Sequence, residues 1–219
     1  FEIGDGFEGA NLKGSENNDA FCVENGKVSK KYNYTQYSII FKHSAKQIEY
    51  VQYKANLVNS IFGGRQNKVR EINNNGYPGC IYMKSNKYLK VIRELLYKNN
   101  KKHLTRNLLN FLDSQGLAIW YMDDGCCSYM KRNGKIHGII LQISTCLDTL
   151  DEIQIIIDYF KEKWDIKFGV KKDHGKYSLQ CSTHEAKKFI SIVKPYVSNI
   201  ECMKYKIDKV NYTYTLSNG

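Results

Sequence analysis

The spacing of hydrophobic residues along the chain predicts helices that alternate with short strands. Apolar residues between Ile48 and Ile61 recur with a period near 3.6, which predicts a helix from Ser44 to about Phe62. Ser44 is a suitable N-cap, and the glycine pair at 63–64 ends the segment. The same periodicity predicts helices at 86–97, at 105–112, at 114–124 opened by Ser114, at 149–164, and at 184–194 capped by Thr183.

Segments rich in β-branched and aromatic residues lie between these helices and predict strands. Residues 131–135 form a hairpin turn, and residues 173–176 form a second one. The polar, Asn- and Lys-rich segment 14–34 is predicted to be an extended hairpin or loop. The predicted strands are 37–42, 79–84, 136–145, 166–172 and 176–181.

The order of elements occurs twice, which predicts a tandem duplication. Ser44 and Ser85 are 41 residues apart, and the two corresponding serines of the second half are 38 residues apart. Gly4-Asp5-Gly6 in the first half recurs as Asp123-Asp124-Gly125 in the second. The two halves are predicted to join near residues 98–105.

The composition adds a strong positive charge to this picture. The 219 residues carry 33 Lys and Arg against 22 Asp and Glu, a formal net charge of +11. With 13% aromatic residues and no long apolar run, this charge favours a nucleic-acid partner over a membrane. A basic protein with a solvated surface is the alternative. The seven cysteines lack C-x-x-C spacing, which argues against a zinc site and favours reduced thiols inside a cell.

Each repeat has an aspartate followed by glycine where a helix ends. If the two helices pack side by side, Asp5 and Asp124 meet at one end of the pair. The helix dipole and the mutual repulsion disfavour two carboxylates there, unless a cation neutralises them. Oxygen ligands of this kind suit Mg²⁺, which supports phosphodiester hydrolysis. The alternative is that both motifs are turn-forming helix ends.

Residues 117–125 read LAIWYMDDG, which resembles the LAGLIDADG motif of homing endonucleases. Leu117, Ala118, Asp124 and Gly125 match the motif, and the residues between them are mostly apolar. The surrounding segment KNNKKHLTRNLLNFLDSQGLAIWYMDDG resembles the second-half signature of the single-chain, two-motif branch of this family. The segments FKHSAKQIEY and VKPYVSNIECMKYKI also resemble their counterparts there, so the resemblance covers about residues 3–207.

The resemblance implies an α+β fold of duplicated αββαββα halves, which form a pseudo-twofold saddle with two antiparallel DNA-binding sheets. The N-terminal half is predicted at 1–98, a linker at 99–105, and the C-terminal half at 106–219. Only three residues precede Gly4, so we expect the first helix of this sequence to be truncated. Adding the native upstream residues is then expected to restore cleavage.

The activity implied by the resemblance is site-specific cleavage of both DNA strands at a long asymmetric target, with Mg²⁺ as the cofactor and Mn²⁺ as a substitute. The last carboxylates of the two motifs, Asp5 and Asp124, are the implied metal ligands, whereas Asp123 occupies a variable position. Lys102 and Lys206 match basic residues that polarise water or stabilise the transition state. These four residues are the candidate catalytic set.

The resemblance implies that the chain is a monomer. Its implied partner is double-stranded DNA, and no membrane is involved. An RNA maturase that binds intron RNA and a non-catalytic DNA-binding protein are the alternatives on the same scaffold. The abundance of Lys, Asn, Ile and Tyr suggests an A/T-rich genome, such as that of an organelle, a bacterium or a phage.

Basic and amide side chains on the predicted strands and turns are the candidates for DNA contact. Lysines are expected to contact mostly phosphates, whereas Gln and Arg are better suited to read bases. The candidates are Lys30, Lys31, Arg65, Lys68, Arg70, Lys131, Arg132, Lys135, Lys167, Lys171, Lys172 and Gln180.

Overall fold

A computed structural model describes most of the chain as two compact units that divide between Leu96 and Tyr97. We call them unit 1 and unit 2. None of the described helices is both long and apolar enough to cross a membrane. The described residues are 11–15, 21–24, 27–30, 36–64, 66–74, 76–99, 101–147, 149–173 and 175–211.

Unit 1 contains a four-stranded antiparallel sheet in the order β1-β4-β6-β5. A separate hairpin of β2 and β3 lies within the polar segment 14–34, in agreement with its predicted character. The elements are β1 (Asn11–Ser15), β2 (Phe21–Glu24), β3 (Lys27–Lys30), β4 (Gln36–Ser44), α1 (Ile48–Phe62), β5 (Arg70–Asn74), β6 (Tyr77–Ser85) and α2 (Leu89–Leu96).

Unit 2 contains a second four-stranded antiparallel sheet in the order β11-β12-β10-β9. Two 3₁₀ helices, Glu201–Lys206 and Asp208–Asn211, follow its last α-helix. The other elements are β7 (Tyr97–Lys98), β8 (Lys101–Lys102), α3 (Arg106–Asn110), α4 (Ser114–Asp124), β9 (Gly125–Arg132), β10 (Lys135–Leu147), α5 (Leu150–Trp164), β11 (Gly169–Asp173), β12 (Lys176–Ser182) and α6 (Thr183–Val197).

The two sheets have the same topology. Read from its other edge, the unit 1 sheet has the order β5-β6-β4-β1, which corresponds strand for strand to β11-β12-β10-β9. Unit 2 from α4 to α6 is a complete αββαββα unit, and unit 1 repeats the order from β1 to α2 around its inserted hairpin. The predicted α+β fold with duplicated antiparallel sheets is therefore confirmed.

One face of each sheet is covered by helices because apolar residues alternate along its strands. In unit 2, Ile139, Leu141 and Ile143 of β10 are buried, as are Leu179 and Cys181 of β12. In unit 1, the buried cluster joins residues of β4 and β6 to helix α1, namely Phe41, Val51, Ala55, Val58, Cys80 and Tyr82. The opposite face of each sheet is not covered by these helices, and we call it the open face.

The core of unit 2 is organised around Phe160 of α5. The centroid of its ring lies 6.1 Å from that of Trp120, 4.8 Å from that of Phe168 and 6.1 Å from that of Phe189. The strand predicted at 166–172 begins only at Gly169, directly after Phe168. Lys167 therefore lies before the strand, and its backbone N–H donates to Glu185.

Helix α4 begins at Ser114 as predicted, whereas the predicted cap of α6 is wrong. Helix α4 is capped by Asp113, whose Oδ1 accepts from the Gly116 N–H at 2.7 Å, while Ser114 is hydrogen-bonded to Tyr196. Thr183 does not cap α6, because its hydroxyl donates to the Ile139 carbonyl and accepts from the Ile139 N–H. Tertiary hydrogen bonds therefore occupy the hydroxyl of Thr183, the predicted cap of α6, and that of Ser114.

We expect Asp113→Ala to lower the free energy of unfolding by about 1 kcal/mol, because it removes the side-chain cap of α4. Asp113→Asn retains a cap oxygen and is the matched control. Chemical denaturation of the three proteins measures the difference. Equal stability of the Ala and Asn variants would contradict the assignment of this cap.

Candidate catalytic centre and nucleic-acid interface

Helix α4 ends by placing two carboxylates beside a lysine from the end of the chain. Gly125 is the C-cap, and its N–H donates to the Tyr121 carbonyl. Only 4% of Asp123 is exposed, and Asp124 is half-buried. One carboxylate oxygen of each, Oδ2 of Asp123 and Oδ1 of Asp124, is fully buried. The carbonyl end of a helix disfavours negative charge, so this arrangement calls for a nearby cation.

Lys206 supplies positive charge at this position. It lies at the end of the 3₁₀ helix Glu201–Lys206, and its Nζ donates to the Gly125 carbonyl at 2.5 Å. In return, the Tyr121 hydroxyl donates to the Lys206 carbonyl at 2.7 Å. The Tyr121 ring is also packed edge-on against Phe189, at 5.3 Å between centroids. These contacts fix the lysine to the last turn of α4.

The charge state of Lys206 reflects two opposing influences. Burial lowers the pKa of Lys206 below its usual value, while the nearby Cys126, Asp123 and Asp124 act to raise it. Lys206 is therefore a partly desolvated amine held among acidic groups. Such an amine is suited to hydrogen-bond a water molecule or a phosphate oxygen.

The donor set fits a hard divalent cation in part. Asp124 offers carboxylate oxygens, the ligand type that Mg²⁺ prefers. No group of three or more His, Cys, Asp or Glu residues that can hold a metal occurs among the residues placed by the structure. A cation at Asp124 would thus take its other ligands from water, phosphate or a second carboxylate. The predicted second carboxylate, Asp5, lies outside the described residues.

Three thiols of unit 2 have distinct environments near this centre. Burial raises the pKa of Cys127 to about 11 and that of Cys181 to about 12. Cys126, next to Gly125, is exposed. The predicted reduced state agrees with these three residues, which form no disulfide.

The open face of unit 2 is polar and lies beside the carboxylates. Gln142 of β10 stands opposite Gln180 of β12 and opposite Cys126 of β9. Lys171 of β11 reaches the same row, and its Nζ donates to Gln142 Oε1 at 3.4 Å. The structure therefore brings together Lys171 and Gln180 on the open face. The other predicted lysine of this strand, Lys172, alternates to the other side and lies over the Tyr177 ring.

Further predicted contacts lie on turns and at strand ends. Lys131, Arg132 and Lys135 are exposed around the β9–β10 turn, where Asn133 and Gly134 have positive φ angles of 50° and 75°. The turn matches the predicted hairpin and gathers three cations at one end of the sheet.

The remaining candidates are divided between unit 1 and positions that the structure does not describe. Lys68 and Arg70 are among the residues that line a depression of about 450 Å³ in unit 1. The backbones of Lys30 and Lys102 belong to β3 and β8, but their side chains are outside the described set. Lys31 and Arg65 lie wholly outside the described residues.

Sequence reasoning missed several residues of these surfaces. Ile81 and Met83 line the same depression, although their apolar character suggested only a strand core. Lys209 donates to the Cys127 carbonyl at 2.9 Å, close to the end of α4. The run of apolar residues in β6 gives no local signal for the first two, and no local pattern points to Lys209.

The sequence of this chain is similar to that of a known protein family and to those of individual proteins. Residues 24–189 match the profile of the LAGLIDADG DNA endonuclease family. Probable intron-encoded DNA endonuclease 3 of Mycosarcoma maydis is 31% identical over 130 residues, which are 57% of this chain and 89% of that protein. Cytochrome b mRNA maturase bI2 of Debaryomyces hansenii is 31% identical over 113 residues, 51% of this chain and 39% of the maturase.

Some relatives are much longer than the matched region. Protein RecA of Mycolicibacterium flavescens is 26% identical over 171 residues, which are 75% of this chain and 39% of that protein. Protein RecA of Mycobacterium leprae is 29% identical over 171 residues, 75% of this chain and 23% of that protein. The chain thus spans well under half the length of these two relatives.

Solved structures share the fold at low sequence identity. The homing endonuclease I-WcaI bound to its DNA recognition sequence has a TM-score of 0.66 and 19% identity, over 94% of this chain and 81% of that one. A variant of I-DmoI in complex with its target DNA and Mn has a TM-score of 0.50 and 14% identity, over 90% and 92%. The profile match covers more than half of the sequence, and the chain therefore belongs to the LAGLIDADG DNA endonuclease family.

Proposed function

We propose that this protein is a site-specific DNA endonuclease of the homing type, which cuts both strands of a long asymmetric target in a Mg²⁺-dependent reaction. The observation that carries the proposal is the junction of α4 with the 3₁₀ helix, where Lys206 is held next to Asp124. Asp5 is the proposed second metal ligand, and Lys102 is the proposed counterpart of Lys206. Mn²⁺ is the proposed substitute cofactor.

In this proposal, the chain's own groups position the reactants. Asp124 supplies metal-binding oxygens at the end of a rigid helix, and Lys206 hydrogen-bonds the attacking water or a phosphate oxygen. The cation, when bound, polarises the phosphate and lowers the pKa of bound water. Tyr121 keeps Lys206 in place through its hydrogen bond to the Lys206 backbone, which makes it a positioning residue.

A plasmid library with randomised inserts tests the proposed activity without knowledge of the target. The full chain is incubated with the supercoiled library in Mg²⁺, in Mn²⁺ and in EDTA. We expect linear products whose ends map to related sequences in Mg²⁺ and Mn²⁺ and none in EDTA. Absence of a common cleaved sequence with either cation would overturn the proposal.

A maturase function is the second candidate, because a cytochrome b mRNA maturase is among the relatives. The basic surface of the same scaffold is suited to RNA, and RNA binding does not need Asp124. Tight binding of intron RNA together with failure of all plasmid cleavage would favour this function over the first.

The salt dependence of DNA binding is expected to reveal the cations of the β9–β10 turn. Replacing Lys131 and Arg132 with Gln removes two exposed charges, so the slope of log affinity against log salt should become shallower by about 2. The control is Lys161→Gln, which removes an exposed charge from helix α5 rather than from the sheet. It should leave the slope unchanged. Fluorescence anisotropy at increasing salt measures both slopes. An unchanged slope in the double variant would remove this turn from the proposed interface.

A further inference from the structure

The open face of unit 1 has apolar residues where that of unit 2 has amides. Along β6, Cys80 and Tyr82 turn into the core, so Ile81 and Met83 point to the opposite face. Met83 is 48% exposed. Ile81 beside it is half-buried, so the open face of this strongly basic chain presents a partly exposed apolar pair.

Cations surround this apolar pair. In the sheet register, Ile81 stands opposite Lys42 on one side and Arg70 on the other, while Met83 stands opposite Ile40. Paired residues of antiparallel strands share a face. The face therefore combines an apolar centre with flanking positive charge.

The apolar pair lies in a formed depression rather than on a flat surface. Asn67 fixes the segment before β5 by donating to the Met83 carbonyl at 2.5 Å, and the Asn59 amide donates to the Asn67 carbonyl at 3.1 Å. The volume is about 450 Å³, and the lining residues are Gln66, Asn67, Lys68, Arg70, Ile81 and Met83.

We infer that this depression reads the C5-methyl groups of thymines in the major groove of duplex DNA, an inference that rests on the proposed function. The thymine methyl is the apolar group that bases present in that groove, and it is flanked by phosphates. The apolar lining residues match the methyl, and Lys68 and Arg70 in the same lining match the phosphates. A second copy of this chain is a poor occupant, because it carries the same net charge of +11.

The two units then recognise different base chemistry. The corresponding face of unit 2 presents the Gln142–Gln180 pair, which suits hydrogen-bonded readout of adenine. Dependence on thymine methyl groups is therefore confined to the part of the target that unit 1 contacts.

Deoxyuridine substitution tests this inference directly, since it removes only the methyl group. The full chain first selects duplexes from a randomised library in Ca²⁺, and each thymidine of the selected duplex is then replaced in turn. We expect replacements in one part of the target to weaken binding about fourfold per contacted methyl, and replacements elsewhere to have no effect. Met83→Ser should abolish the difference in affinity between the thymidine and deoxyuridine duplexes, whereas Gln180→Ser should retain this difference.

The outcomes separate the inference from the proposed function. A selected duplex that is cleaved in Mg²⁺ but binds equally well with either base overturns the inference alone. A methyl effect on a duplex that is never cleaved overturns the proposed cleavage alone. Self-association lost in Met83→Ser with an unchanged base effect assigns the face to a dimer and overturns the inference. Failure to enrich any duplex overturns both. The deoxyuridine measurement uses the unaltered chain, so it does not depend on how Met83→Ser folds.

Discussion

Asp124→Asn is expected to lower the rate of Mg²⁺-dependent DNA cleavage by about a hundredfold or more, since loss of even an indirect metal partner costs tenfold to a hundredfold. The substitution keeps the size of the side chain at the end of α4 and removes its charge. DNA affinity in Ca²⁺ should change little, because the cations of the interface lie elsewhere. Single-turnover cleavage of the selected target measures the rate.

The matched control for this prediction lies at the other end of the same helix. Asp113→Asn also replaces a carboxylate with an amide, but it retains the cap of α4 and should leave cleavage unchanged. Partial recovery of Asp124→Asn at higher Mg²⁺ or in Mn²⁺ would identify a metal-binding defect. A cleavage rate equal to that of the wild type would remove Asp124 from the proposed catalytic set.

Gly125→Ala is expected to destabilise unit 2 by about 3 kcal/mol through overpacking. An added Cβ would lie 2.5 Å from the Tyr121 carbonyl oxygen and would overlap the Tyr121 ring. The ring cannot move aside, because Phe189 packs against it and its hydroxyl is bound to the Lys206 carbonyl. The same substitution should therefore also displace Lys206.

A second glycine of the same sheet serves as the control. At Gly169 the nearest atom to an added Cβ is the Gln180 carbonyl oxygen at 3.6 Å, an ordinary contact distance. Gly169→Ala should change the unfolding free energy by less than about 1 kcal/mol. Urea denaturation followed by tryptophan fluorescence measures both variants. Equal stability of the two would show that the end of α4 can relax around a methyl group.

The sequence predicts elements best where local chemistry alone decides them. Helix α5 begins after Thr149, whose hydroxyl accepts from the Glu152 N–H, and it ends at Trp164 as its periodicity indicates. Asp113 and Ser114 are both good cap residues; Asp113 is the cap, and Ser114 is hydrogen-bonded to Tyr196, 82 residues away. Local patterns cannot encode that choice.

The candidate site also combines residues that the sequence predicts with long-range contacts that it does not. The resemblance singled out Lys206, and the structure places it beside Asp124, yet its contact with Gly125 joins residues 81 apart in the chain. Periodicity predicted β6 but not that Ile81 and Met83 would face outward. An apolar residue in a strand is normally a core residue, so an apolar binding surface gives the same sequence signal as a core.

The late position of Lys206 has a consequence for the newly made protein. At about 5–20 residues per second, the ribosome needs about 4–16 s to travel from Gly125 to Lys206. All four strands of the unit 2 sheet are synthesised within that interval. If the proposed function holds, the strands of the DNA-binding sheet are synthesised before the lysine that completes the catalytic centre.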